Sequence, residues 1–185
     1  MKSLSSLYKI GRGPSSSHSM GPESACRKIL ELYPSADSFK VILYGSLALT
    51  GKGHMTDKVI EKTFEPKNVD IVFDKKTRCD KYQNTMDIVV FGGGKEVGRE
   101  RVYSIGGGDI VFEGKTVAPE ADVYPHNKYS EIADYCRLHN IRIWEYADKF
   151  EGEKIWAYLS SVWEVMKESI NEGLAAVGTL DCGLE

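Results

Sequence analysis

Residues 13–22 read GPSSSHSMGP: three consecutive serines and a histidine set between two Gly-Pro steps. Serine hydroxyls and exposed backbone N–H groups at a helix start hold carboxylates or phosphates by hydrogen bonds and the helix dipole. His18 changes charge near neutral pH, which suits a proton shuttle or a group that orients a substrate. The competing reading is a capped, solvated turn in which the serines serve local backbone bonds. The G-x-x-x-x-G-K-[ST] spacing of a P-loop is not present.

A second run, YGSLALTGKGHMTD at 44–57, gathers Lys52, His54, Thr56 and Asp57 around three glycines. Gly45, Gly51 and Gly53 let backbone approach a ligand closely. His54 with Asp57 nearby is a candidate oriented general base. The plainer alternative is a strand-to-helix loop with Thr56 or Asp57 as its N-cap. Gly92–Gly94 and Gly106–Gly108 flank strand-like segments, which implies bulges, positive φ or close backbone approach. Ser104–Gly108 is then either structural or beside a ligand; the G-x-G-x-x-G spacing of a dinucleotide loop is missing. His126 in a YPHNKY loop and His139 at a helix end carry structural readings. Cys26, Cys79, Cys136 and Cys182 are widely spaced, with no C-x-x-C and no zinc spacing. They read as free thiols in a reducing compartment, and no metal is expected on this chain.

The elements that must position these residues follow from periodicity. Gly21–Tyr33 is predicted helical, with Cys26, Ile29 and Leu30 on one face and Pro34 as its stop. FKVILY at 39–44 is a buried strand, residues 45–54 a glycine-rich loop, and 57–65 a helix. Residues 69–73, 86–91, 99–105 and 110–112 are strands, the middle two joined across GGGKEVG. The expected fold is α+β: a mixed or mainly antiparallel sheet with helices packed on it. Lys128–His139 is predicted as a helix. Residues 152–174 form a second, longer one, with Ile155, Leu159, Val162, Met166 and Ile170 as its stripe. A boundary near residue 150 separates the sheet domain, 1–150, from this helix and connector, 151–185.

The chain has 185 residues, 42% hydrophobic and 28% charged, with a net charge of −3. That is ordinary for a globular protein and argues against nucleic acid, which calls for a basic face. No apolar run approaches the roughly 20 residues of a membrane span, and the N-terminus lacks a signal-peptide core. A cytoplasmic location is the expectation.

Taken together, GPSSSHS, YGSLALTGKGHMTD and SIGGG resemble the β domain of the iron–sulfur-dependent bacterial L-serine dehydratases. The family pattern I-G-x-G-P-S-S-S-H-T-x-G-P is matched at Ile10–Pro22, with Ser19 in place of threonine. Y-G-S-x-A-x-T-G-K-G-H-x-T-D is matched at Tyr44–Asp57, and S-x-G-G-G at Ser104–Gly108. The resemblance covers most of residues 1–175. It implies conversion of L-serine to pyruvate and ammonia without pyridoxal phosphate, using a [4Fe–4S] cluster held by a separate α domain. It also implies a fold similar to the allosteric substrate-binding domain of some phosphoglycerate dehydrogenases. By carry-over, His18 and His54 transfer protons. Ser15, Ser16, Ser17, Ser19, Lys52, Thr56, Asp57, Gly106 and Gly107 bind substrate. The implied partners are the α domain, L-serine and a second copy of the chain as a homodimer. The family's cluster cysteines have no counterpart here. The VGTLDCGLE terminus reads as a connector towards the α domain, and the lack of a terminal regulatory domain favours a single-chain layout. The alternative is a free-standing module that binds serine or another small anion.

Overall fold

Five segments pair into one sheet, covered by a helix that precedes the first strand and by two that follow it. The computed structural model describes residues 1–115 and 121–179. The order is α1 (Leu4–Leu7), a π-helical turn (Ser16–Met20), α2 (Gly21–Leu32), β1 (Ser38–Tyr44), α3 (Gly45–Thr50), α4 (Thr56–Phe64), β2 (Asn68–Asp74), β3 (Asn84–Gly92), β4 (Lys95–Gly106), β5 (Asp109–Phe112), α5 (Tyr129–His139), α6 (Ile143–Glu151) and α7 (Lys154–Ala175). Two compact units result: Gly11–Val117, and Met1–Ile10 with Ala118–Glu185. The boundary expected at residue 150 falls within α6, whereas the units part between residues 117 and 118.

The strand order in the first unit is β2-β1-β3-β4-β5, with β1 and β2 parallel and the other neighbours antiparallel. The expected α+β fold with a mixed sheet is therefore present. Alternate residues of the strands face the helices: Phe39, Val41 and Leu43 of β1, Met86, Ile88 and Val90 of β3. They meet Ala25, Cys26 and Ile29 of α2, Leu47 and Ala48 of α3, and Ile60 and Phe64 of α4. Burying each large side chain of this set contributes about 1.5–3 kcal/mol. The opposite face is polar but tied together. Asp87, 6% exposed, accepts two bonds from Arg101, at 2.6 and 2.8 Å, and one from the Tyr44 hydroxyl at 3.0 Å.

Three local expectations change. Residues 45–50 are helical rather than loop, because Leu47 and Ala48 bury against the sheet while the glycines stay at the ends. Helix α4 has Met55 in left-handed conformation at its N-cap and no side-chain cap, so neither Thr56 nor Asp57 caps it. The β3–β4 hairpin turns on Gly93 and Gly94, with φ 58° and 74°, and β4 already starts at Lys95. Two positive φ values in a two-residue loop match the right-handed twist of the strands.

In the second unit, Glu151 at the end of α6 accepts from Ser3 Oγ at 2.7 Å, Leu4 N–H at 2.6 Å and the Tyr124 hydroxyl at 2.8 Å. An aromatic cluster of Tyr124, Tyr135, Tyr146 and Phe150 packs beside it. His126 Nδ1 lies 2.8 Å from the Tyr146 hydroxyl, and the His139 ring packs on Tyr135. Both histidines thus have structural partners. Along α7 the stripe is buried at Ile155 and Val162, but Met166 is 47% and Ile170 54% exposed. No helix among the described residues is long and apolar enough to cross a membrane.

Candidate active site

The ends of β1 and β4 and the start of β3 form one edge of the sheet, and the two histidine segments meet there. Gly21 admits the π-helical turn to this edge: a Cβ on it would lie 2.2 Å from Ser104 Oγ. That approach lets Ser104 Oγ donate to the Ser17 carbonyl at 2.9 Å. Ser15 precedes the turn and its Oγ accepts from the His18 N–H at 3.2 Å. Wider π-type turns are rare and concentrate at functional sites.

His18, 9% exposed, is held at both ring nitrogens. Ser17 Oγ lies 3.0 Å from Nδ1, and Ser46 Oγ lies 3.0 Å from Nε2. Because a hydroxyl both donates and accepts, this pair accommodates either tautomer of the neutral ring. His54 lies alongside, with ring centroids 4.5 Å apart and planes at 31°. Its Nδ1–H donates to the Thr50 carbonyl at 3.0 Å, which leaves the lone pair on Nε2. The expected Asp57–His54 pairing is replaced by this bond, and Asp57 Oδ1 instead accepts from the Lys58 N–H at 3.0 Å. The backbones are tied as well: Ser19 Oγ donates to the His54 carbonyl at 3.0 Å, and Thr56 Oγ1 to the His18 carbonyl at 2.7 Å.

Burial lowers the pKa of His18 below its usual 6.5; the charge of His54 adds to this, and an interaction with Ser46 partly opposes it. His18 is therefore neutral at neutral pH.

The structure brings together His18, His54, Ser15 and Ser17. Ser19 and Thr56 are fully buried, with their hydroxyls spent on the carbonyls just described. Ser16 is exposed at the start of the turn. Lys52 is exposed, its ammonium 5.6 Å from the centroid of the Phe73 ring. Gly106 ends β4 at φ 103°, Gly107 and Gly108 form the β4–β5 turn at φ 60° and 80°, and Gly108 approaches Met20 of the π-helical turn. Ser46 is not among the expected site residues, and Ser104 enters the expectation only as the start of a segment that is structural or beside a ligand. Both stand inside the motif runs, but only the onset of α3 and the register of β4 reveal their roles. The same edge holds a cavity of about 540 Å³ lined by Gly45, Gln83, Lys75, Lys76 and Arg78 among others.

The family model described as serine dehydratase beta chain matches residues 3–62 and 61–115, which contain both histidines and all three motifs. The chain belongs to the serine dehydratase beta chain family. Among curated relatives, L-serine dehydratase 1 of Escherichia coli (strain K12) is 30% identical over 230 residues, covering 97% of this chain and 51% of the relative. L-serine dehydratase 2 of the same strain is 30% identical, covering 97% and 50%. An L-serine dehydratase of Helicobacter pylori (strain J99) is 26% identical, covering 92% and 48%. The chain thus spans about half the length of the curated relatives it matches.

The side chains of the described residues do not fit an iron–sulfur cluster. Among the described residues, no group of three or more His, Cys, Asp or Glu is placed to hold a metal ion. Cys26 is fully buried, and that burial pushes its thiol pKa up, away from the thiolate a ligand must be. Cys79 and Cys136 lie in different units, and Cys182 lies outside the described residues.

Proposed function

We propose that this chain is the β part of an L-serine dehydratase (an L-serine ammonia-lyase), supplying one wall of an active site completed by an α part. One observation carries the reading: a neutral histidine clamped by a hydroxyl at each nitrogen, in ring contact with a second histidine whose Nε2 keeps its lone pair. Proton abstraction next to a carboxylate needs such a base near neutral pH. His54 Nε2 takes the α-proton of L-serine, and the β-hydroxyl is lost as water overall. The resulting aminoacrylate tautomerises to the imine, and water releases ammonia and leaves pyruvate. His18, fixed between Ser17 and Ser46, relays the proton and keeps the second imidazole in place. Ser16, Gly106 and Gly107 are the substrate-facing groups at this edge, with Lys52 and Asp57 at its rim. Ser15, Ser19 and Thr56 position the turn. The [4Fe–4S] cluster is assigned to the α part, no pyridoxal phosphate takes part, and the enzyme works as a cytoplasmic homodimer.

The test mixes this chain with an α part under anaerobic conditions and measures pyruvate from L-serine. His54→Ala and His18→Ala are each expected to lower kcat by about 10²–10⁴-fold, the range for removing a general acid–base group. Undiminished pyruvate from both variants would sink the assignment. Tight serine binding by the isolated chain with no gain from the α part would favour a regulatory module instead.

A further inference from the structure

The side-chain carbonyl of Asn84 is buried and, among the described residues, has no hydrogen-bond partner. A native fold seldom leaves such an acceptor unmet, and each exception calls for a reason. Its place in the sheet supplies one. Asn84 opens β3, the strand between β1 and β4, and bridges to Gly45. The ladder pairs Thr85 with Tyr103, so one residue further on Asn84 lies beside Ser104. Gly45 precedes Ser46, which holds His18 Nε2; Ser104 holds the Ser17 carbonyl. Side chains alternate along a strand, so Asn84 shares the face of Met86 and Ile88, on which the helices pack. An orphaned acceptor therefore opens the strand flanked by Gly45, which precedes Ser46, and by Ser104; Ser46 and Ser104 are the two serines that hold the His18 segment.

We propose that Asn84 contacts the substrate, its side-chain carbonyl accepting a hydrogen bond from the α-ammonium of the amino acid. This rests on the function proposed above and adds the group that reads the amine. An ammonium is a charged donor and makes the stronger kind of bond. The unit's buried carboxylates are not available for it: Glu23 is engaged by Arg27, and Asp87 by Arg101. A broad, two-fold amide torsion lets the carbonyl turn towards an arriving donor at little cost. Hydration of the amide by a bound water is the competing outcome.

The experiment compares wild type, Asn84→Ala and Asn84→Asp in the complex with the α part, with L-serine as substrate and glycerate, which lacks the amine, as inhibitor. Asn84→Ala is expected to raise KM about 10–100-fold with kcat within a few-fold, the loss of one bond to a charged group. Inhibition by glycerate is expected to stay unchanged, and Asn84→Asp to restore most of KM. Because alanine removes an orphaned buried acceptor, the melting temperature of the Asn84→Ala chain is expected to hold or rise. An unchanged KM, an equal loss of serine and glycerate affinity, or a lower melting temperature each overturns the proposal. A wild-type complex that makes no pyruvate refutes the proposed function separately. The same two ligands are then compared by calorimetry, where equal effects on both, or none, overturn the role of Asn84.

Discussion

At the scale of the residue, the site is a matter of which nitrogen carries which proton. His18 has a native pKa below the usual 6.5, chiefly through burial. On acidification the unfolded chain binds its proton first, so His18 penalises folding as pH falls from about 6.5 to its native pKa; above 6.5 it contributes no pH dependence. His18→Gln is expected to flatten that part of the stability curve, read as melting temperature against pH for variant and wild type. A variant curve parallel to wild type would contradict the burial argument. The types of these residues were legible in sequence, since an imidazole after three serines invites a proton-transfer reading. Their partners were not. Asp57 is three residues from His54 in sequence, yet the bond goes to the Thr50 carbonyl, because the turn after α3 folds back on itself. Ser46 reaches His18 across 28 residues of chain, a contact only the folded sheet creates.

At the scale of the element, the close approach of the π-helical turn to β4 depends on Gly21. Gly21→Ala is expected to cost about 1–3 kcal/mol by overpacking, since its Cβ would meet Ser104 Oγ and Cβ at 2.2 and 2.9 Å. Pairing it with Ser104→Ala removes the nearer clash, so the double variant should lose less stability than the two single losses added together. Chemical denaturation of the four proteins reads this directly, and strict additivity would count against the contact. The strands were legible because 39–44 is a short β-branched, aromatic run and 69–73 alternates. Helix α3 was not, because three glycines within nine residues resemble a loop until Leu47 and Ala48 find the core. Sequence patterning gave no sign of the π-helical turn, whose wider bonding runs from the Met20 N–H to the Ser15 carbonyl and from the Gly21 N–H to the Ser16 carbonyl.

At the scale of the whole molecule, the described sheet and its helices form one unit with its own core. Every residue of the main hydrophobic cluster, from Ala25 to Phe112, lies within Gly11–Val117. A fragment of residues 11–115 is therefore expected to fold alone with one cooperative thermal transition, followed by circular dichroism. A broad, non-cooperative melt would show that the core needs the rest of the chain. The long amphipathic helix α7 was legible, but the sequence stripe could not show that its covering stops after Val162. The cross-tie between the histidine segments has a consequence at this scale. Ser19, beside the first histidine, grips the backbone of the second; Thr56, just past the second, grips the backbone of the first. A displacement of either segment is thereby shared by both. The spacing of the imidazoles is thus set by paired backbone ties, and Ser104 fixes the coupled segments to the sheet, so a surface that meets one ring meets both in a set geometry.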